Sequence, residues 1–196
     1  MNWWLEVGQL IFWAVTIVFG LITARKGIRE LRLSTESRDR EIRWKAASTA
    51  RELITEIHHN FYASNAVLML DWWGSTRRYP AKRDNMMLIS DGANDGLIEI
   101  TPAEIRSALA QPRAPQMEAK AIFVRDCFDW FFFYVDRIEQ YVRTGLIQAE
   151  DAHPVFVSYV KVIAGEPETF RRFIEDHEYR GALRFFKLAD ASVPVE

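Results

Sequence analysis

The chain is poor in the residues that build reactive centres. Its single cysteine, Cys127, excludes an intrachain disulfide and agrees with a reducing compartment. His58, His59, His153 and His177 are the only histidines, and no serine or cysteine stands in a nucleophile motif. No glycine-rich phosphate loop occurs. Neither sign of charge dominates, with 25 Lys and Arg against 27 Asp and Glu. The basic residues are interleaved with acids, which argues against a nucleic-acid partner. Internal repeats and low-complexity linkers are also missing.

The absence that organises the chain is local. Between Trp3 and Ala24 the only charge is Glu6, and from Val7 to Ala24 there is none; Arg25, Lys26, Arg29 and Arg32 follow at once. Residues 3–24, at ~1.5 Å each, extend roughly 33 Å, enough for a hydrocarbon core of ~30 Å. A signal peptide opens with basic residues and ends in a small-residue cleavage site. This start has no Lys or Arg, and its apolar run ends in a basic cluster. The pattern predicts one uncleaved transmembrane helix over residues 1–24. Cations favour the cytoplasmic side, so the N-terminus is expected outside and the following residues in the cytoplasm, at a bacterial inner membrane. Trp3 and Trp4 fit the outer interface, and the four cations fit the inner one. Gly8, Thr16, Gly20 and Ala24 recur at multiples of four, interrupted at Phe12. Such a row lets another transmembrane helix approach closely, although small residues are also common in bare anchors.

Residues 25–45 hold eight Lys or Arg against four Asp or Glu. Glu36 and Arg40, Asp39 and Arg43, and Glu41 and Lys45 stand acid-then-base four apart, a helix-supporting order. This segment reads as a polar juxtamembrane stalk. Its basic excess either attracts anionic lipid headgroups or only fixes topology. From Ile42 the pattern turns amphipathic through Ala46, Thr49, Leu53, Ile57 and Phe61, which predicts one long helix over about 40–73. Residues 74–100 read mostly as loop, with a hairpin or two short helices as the alternatives. Thr101-Pro102-Ala103-Glu104 is a helix start with a cap, a first-turn proline and a returning acid. A very apolar helix is expected from Ala114-Pro115 to Arg143, stopped by Gly145. It lies at the centre of a bundle or is partly covered by another protein. Helices from His153 or Pro154 to Ala164 and from Pro167 onward complete the pattern, with Leu183, Phe185 and Phe186 closing it. The expected architecture is all-α: a transmembrane anchor (1–24), a charged stalk helix (25–45), a cytoplasmic helical bundle (46–190) and a tail (191–196).

The aromatic segment Phe128–Ile147 ends in Arg143-Thr144-Gly145-Leu146-Ile147, and an acidic stretch then leads into His153-Pro154-Val155-Phe156-Val157-Ser158-Tyr159-Val160. In this the chain resembles a widespread group of bacterial proteins with one N-terminal span and a helical cytoplasmic domain of unknown function. The likeness covers roughly the C-terminal third and the general layout. It implies the fold and carries no chemistry.

Two Glu-x-x-His pairs, Glu56 with His59 and Glu150 with His153, have the spacing used in carboxylate-bridged di-metal bundles, with Glu118 and Glu139 as the further carboxylates. His153 precedes Pro154, however, and Glu56 sits beside the apolar stripe. The pairs therefore read as solvated or capping side chains. Asp91, Asp95, Gly96 and Ile98 match part of a calcium loop, but Ala93 and Pro102 stand where ligands are required, so a turn is expected. Cys127 reads as a small core residue. No cofactor is implied. The preferred protein-binding patch is Trp72, Trp73, Arg77, Arg78 and Tyr79, because adjacent tryptophans cannot both enter one core. The leading expectation is a non-enzymatic accessory subunit of a respiratory, photosynthetic or transport complex. Its partners would be other transmembrane helices and anionic lipids, with a homo-oligomer also open. The alternatives are a di-metal enzyme and a membrane-tethered signalling or defence protein.

Overall fold

The structure, a computed structural model, describes the backbone of residues 3–83, 86–87, 96–112 and 117–191, and the side chains of residues 13, 19–21, 23–81, 96–112 and 117–186. The chain divides into two compact units, Met1–Lys45 and Ala46–Glu196.

The first unit is part of a single helix, α1 (Trp3–His59), which runs without a break through the segments read as anchor and stalk. No described residue of this unit is buried. Glu41 pairs with Lys45 at 2.7 Å as the spacing predicts, whereas Glu36 pairs back to Arg32 at 3.1 Å. Among the described residues no helix is long and apolar enough to cross a membrane. Most side chains of the charge-free run Val7–Ala24 lie outside the described ones.

The second unit is helical with a small β element. Ala46, Ala50, Leu53 and Ile57, spaced four, three and four, are the buried face of the end of α1. The single helix expected over 40–73 breaks at Asn60. This residue is extended, and its Oδ1 accepts from the Tyr62 and Ala63 N–H groups at 3.0 Å each, capping α2 (Phe61–Asp71). The stretch expected to be mostly loop contains two antiparallel pairs: β1 (Arg77–Pro80) with β4 (Leu97–Ile100), and β2 (Lys82–Arg83) with β3 (Met86–Met87). Tyr79, Ile98 and Ile100 are buried there, so a few apolar side chains set the pairing although the runs are too short to read as strands.

Thr101 caps α3 (Pro102–Ala110) in a complete capping box with Glu104. The central helix, α4 (Ala119–Arg143), starts later than the Ala114-Pro115 signal; residues 113–116 lie outside the described residues. It ends in a Schellman motif: Gly145 is left-handed at φ 73°, its N–H donates to Val142 O, and the Leu146 N–H donates to Tyr141 O. α5 (Ala149–Gly165) begins ahead of the expected His153. Glu150 and Asp151 suit its positive N-terminal end, and Pro154 is accommodated inside the helix. α6 (Pro167–Asp176) and α7 (Arg180–Ala191) follow.

α4 packs against α2, α3 and α7, while α5 and α6 close over the same core. Phe128, Phe131, Phe132, Phe156, Phe170, Phe173 and Phe185 are fully buried, and Phe132 lies 6.0 to 6.5 Å from the Phe173, Phe186, Phe170 and Tyr179 rings. Burying each Phe is worth about 1.5–3 kcal/mol by transfer alone.

Candidate interaction surfaces

Among the described residues, four polar arrangements and two aromatic surfaces stand out around the core. The first arrangement locks α7 to α4. Asp136 Oδ1 accepts from the Gly181 and Ala182 N–H groups at 2.6 and 3.2 Å, so a carboxylate of α4 caps α7 across the interface. Three residues on, Glu139 is buried and holds both arms of Arg184 at 2.8 and 2.9 Å. Seven residues before Asp136, about two turns earlier, Asp129 accepts from the Tyr179 hydroxyl at 2.7 Å. Burial first, and then that carboxylate, push the Tyr179 phenol well above its ordinary value.

Arg125 forms the second arrangement. It is buried on α4 and donates to the Ala108 and Gln111 carbonyls at the C-terminal end of α3, where the helix dipole favours a cation. Its other arm reaches His177 Nε2 at 3.2 Å, and Phe173 lies under the guanidinium. His177 Nδ1 is 2.9 Å from the Phe173 carbonyl, which places the proton on Nδ1 and leaves Nε2 to accept.

The third joins α3 to the α5–α6 corner. Arg106 donates to Glu166 at 2.7 and 3.1 Å, and the Trp73 indole N–H donates to the same oxygen at 3.4 Å. The Arg106 guanidinium holds the Glu166 carboxyl below its ordinary range against the opposing effect of burial. The fourth is the α3 start, where burial raises the Glu104 carboxyl but bonds from Thr101 and Lys120 outweigh it and hold it low.

These contacts divide the patch read from the sequence. Trp73 turns inward, 5.0 Å from the Phe170 ring, and Tyr79 is buried with its hydroxyl unbonded. Tyr79 is covered by the chain's own fold, whereas Trp73 is only partly covered. Trp72 faces out with the Arg77 guanidinium 3.9 Å above its ring, so the adjacent tryptophans take opposite directions. Arg78 is exposed and has an interaction within the chain. A second surface was not singled out in the sequence. Trp130 and Phe133, 41 and 44 % exposed, meet edge to face at 5.7 Å on the outer side of α4, with the Tyr134 ring 5.5 Å from Phe133. The apolar-all-round character of 129–135 carried the signal, but not which rings would emerge.

The Glu-x-x-His pairs are used otherwise. Glu56 bonds Arg137 at 2.9 Å, His59 and Glu150 are exposed, and the His153 ring packs on Phe185 at 4.9 Å. Glu118 precedes α4 as an exposed residue, and Glu139 is taken by Arg184. Among the described residues no three His, Cys, Asp or Glu side chains come together as metal ligands. Burial lowers the His153 imidazole, with Glu150 acting in the opposite sense. Cys127 is buried, and its thiol is pushed well up by burial and then by Asp126. Asp91 and Asp95 of the partial calcium loop lie outside the described residues.

In the first unit, Arg25, Lys26, Arg29, Arg32, Gly20 and Ala24 are exposed or, at Arg32, exposed and paired. Trp3, Trp4, Gly8 and Thr16 lie within α1, and their side chains are outside the described ones. An apolar groove of about 230 Å³ opens between α5, α6 and α7, lined by Val160, Ile163, Ile174 and Phe186 with Arg171. No family model matches the chain, and no curated protein or solved structure matches it either.

Proposed function

We propose that the protein is a membrane-anchored accessory subunit of a larger bacterial inner-membrane assembly. The N-terminal end of α1 lies in the bilayer, and the helical unit lies on the cytoplasmic side and binds the partner there. One observation carries this reading. Trp13, Phe19 and Leu21 are large apolar side chains left exposed on a helix whose neighbouring positions, from Val7 to Ala24, contain no charge. Large apolar side chains left exposed on an uncharged helical run of that length call for lipid or protein cover. Arg25, Lys26, Arg29 and Arg32 then suit the anionic inner leaflet, at about 1 kcal/mol per cation near the surface. The domain offers Trp72 with Arg77, and Trp130 with Phe133, as aromatic anchors of the type that dominate binding energy.

The test is native extraction of the full chain in mild detergent, followed by native electrophoresis and mass spectrometry. Co-migration with one membrane assembly at a fixed ratio is expected. Trp130→Ala with Phe133→Ala should weaken that association roughly 30-fold or more, the effect of losing about 2 kcal/mol at a hot spot, without unfolding the domain. A species that contains this chain alone would overturn the reading.

A further inference from the structure

We propose that the helical unit makes its own contact with the membrane, through a basic and aromatic surface over residues 72–83 that takes the anionic headgroups of the cytoplasmic leaflet. Residues 46–196 hold 17 Lys and Arg against 22 Asp and Glu, so the unit is acidic as a whole. Within it, residues 72–83 hold Arg77, Arg78, Lys82 and Arg83 and no acid. Cations gathered without acids in an acidic unit form a local positive field, whereas interleaved charges form only a solvated face. Arg78 stands across from Glu99 in the β1–β4 pairing and interacts within the chain, so the excess rests on Arg77, Lys82 and Arg83.

The form of this surface names the occupant. Trp72 is 48 % exposed and carries the Arg77 guanidinium 3.9 Å above its ring. An open ring with a cation over it suits headgroup depth. Indoles settle there between lipid and water, and guanidinium groups donate to phosphate oxygens. The β2–β3 pair sets Lys82 opposite Met87 and Arg83 opposite Met86, so a cation stands beside a long apolar residue at both steps. The proposal rests on the cytoplasmic placement of this unit. Two covers are at hand on that side, membrane-protein loops and lipid headgroups. Such loops carry an excess of Lys and Arg and repel a basic surface, whereas the leaflet is anionic. The bilayer is therefore the partner of the Trp72 side, and Trp130 with Phe133 remain for protein.

The full chain in nanodiscs tests this, with phosphatidylcholine alone and with added phosphatidylglycerol. A nitroxide on Ser75→Cys, between Trp72 and Arg77, reads access to an aqueous nickel reagent; Cys127 is buried and takes no label. Thr144→Cys is the control. Lys120 Nζ bonds the Glu99 carbonyl of β4, and residue 144 lies about 36 Å further along α4. Phosphatidylglycerol should shield residue 75 and leave residue 144 unchanged. Arg77→Gln, Lys82→Gln and Arg83→Gln should each lower the ratio of shielded to open label roughly five-fold, the effect of one cation near an anionic surface. Salt at about 1 M should abolish the shielding, because the screening length falls to ~3 Å. Equal access at residue 75 in the two compositions would overturn the proposal, and so would shielding by a co-purified protein in both. A chain that an alkaline wash strips from membranes would refute the anchor instead. Shielding of residue 75 by added anionic discs would then still support this surface, and its absence would still overturn it.

Discussion

A single methyl group tests the interface between α4 and α7. Gly181 has no side chain because the Asp136 carboxylate occupies the place where one would be: an added Cβ would lie 2.5 Å from Asp136 Oδ1 and 2.9 Å from Glu139 Oε2. Gly181→Ala should destabilise the chain by about 1–3 kcal/mol through overpacking, although alanine is the better helix former. Asp136→Ala should cost about 1 kcal/mol as a lost cap, and the two changes together should cost less than their sum because each relieves the other. Urea unfolding measures all three, and strict additivity would contradict the shared contact. Side-chain ionisation supplies a second test at this scale. Glu104 and Glu166 are held low and His153 is lowered, so the folded state binds fewer protons than the unfolded chain as acid is added. Their contributions are present above the ordinary values and lost below them: from about pH 6.5 downward for His153 and from about pH 4.3 downward for the carboxylates. Tyr159, pushed up to about 12 by burial and then by Asp71, and Tyr179, raised by burial and Asp129, act oppositely. The unfolded chain ionises first, so stability falls above about pH 10. Tyr159→Phe and Tyr179→Phe should flatten that alkaline limb in melts recorded across pH, and an unaltered limb would contradict the assignment.

Helix ends were the most legible elements. Thr101, Pro102 and Glu104 announce α3, and Gly145 announces the end of α4, because capping chemistry is local and needs only neighbouring residues. The break at Asn60 was equally local, yet the apolar spacing from Ile42 to Phe61 runs through it and hides the cap. Asn60→Ala removes both bonds to the start of α2 and should cost about 1 kcal/mol in denaturant unfolding. No change in the midpoint would show that the kink is imposed by packing instead. The β1–β4 pair was illegible for the opposite reason. Four residues on each side carry too little alternation, and Tyr79 and Ile98 are ordered by packing on distant helices. The polar arrangements share that property. Asp136, Glu139 and Arg125 look like ordinary charged positions of one helix until α7 and α3 arrive opposite them. The exposed pair Trp130 and Phe133 lay in a segment that was visibly too apolar for one buried stripe, so the surplus was legible and its direction was not.

For the whole molecule, the proposed reading is one of association through exposed surfaces. Glu56 is held in an ion pair and the His153 ring in a ring contact, while aromatic and aliphatic side chains stay exposed in both units. The two surfaces have distinct roles in this account. On the proposed reading, the first turns of α1 would hold the chain in the bilayer, and Trp72 and Trp130 would present the helical unit to a partner. All of it depends on α1 entering the membrane. The most direct measurement is an alkaline carbonate wash of membranes from bacteria that produce the full chain, because high pH strips proteins attached only by charge or by other proteins. The account predicts that the protein stays in the pellet and is released only by detergent. Recovery in the carbonate supernatant would contradict it.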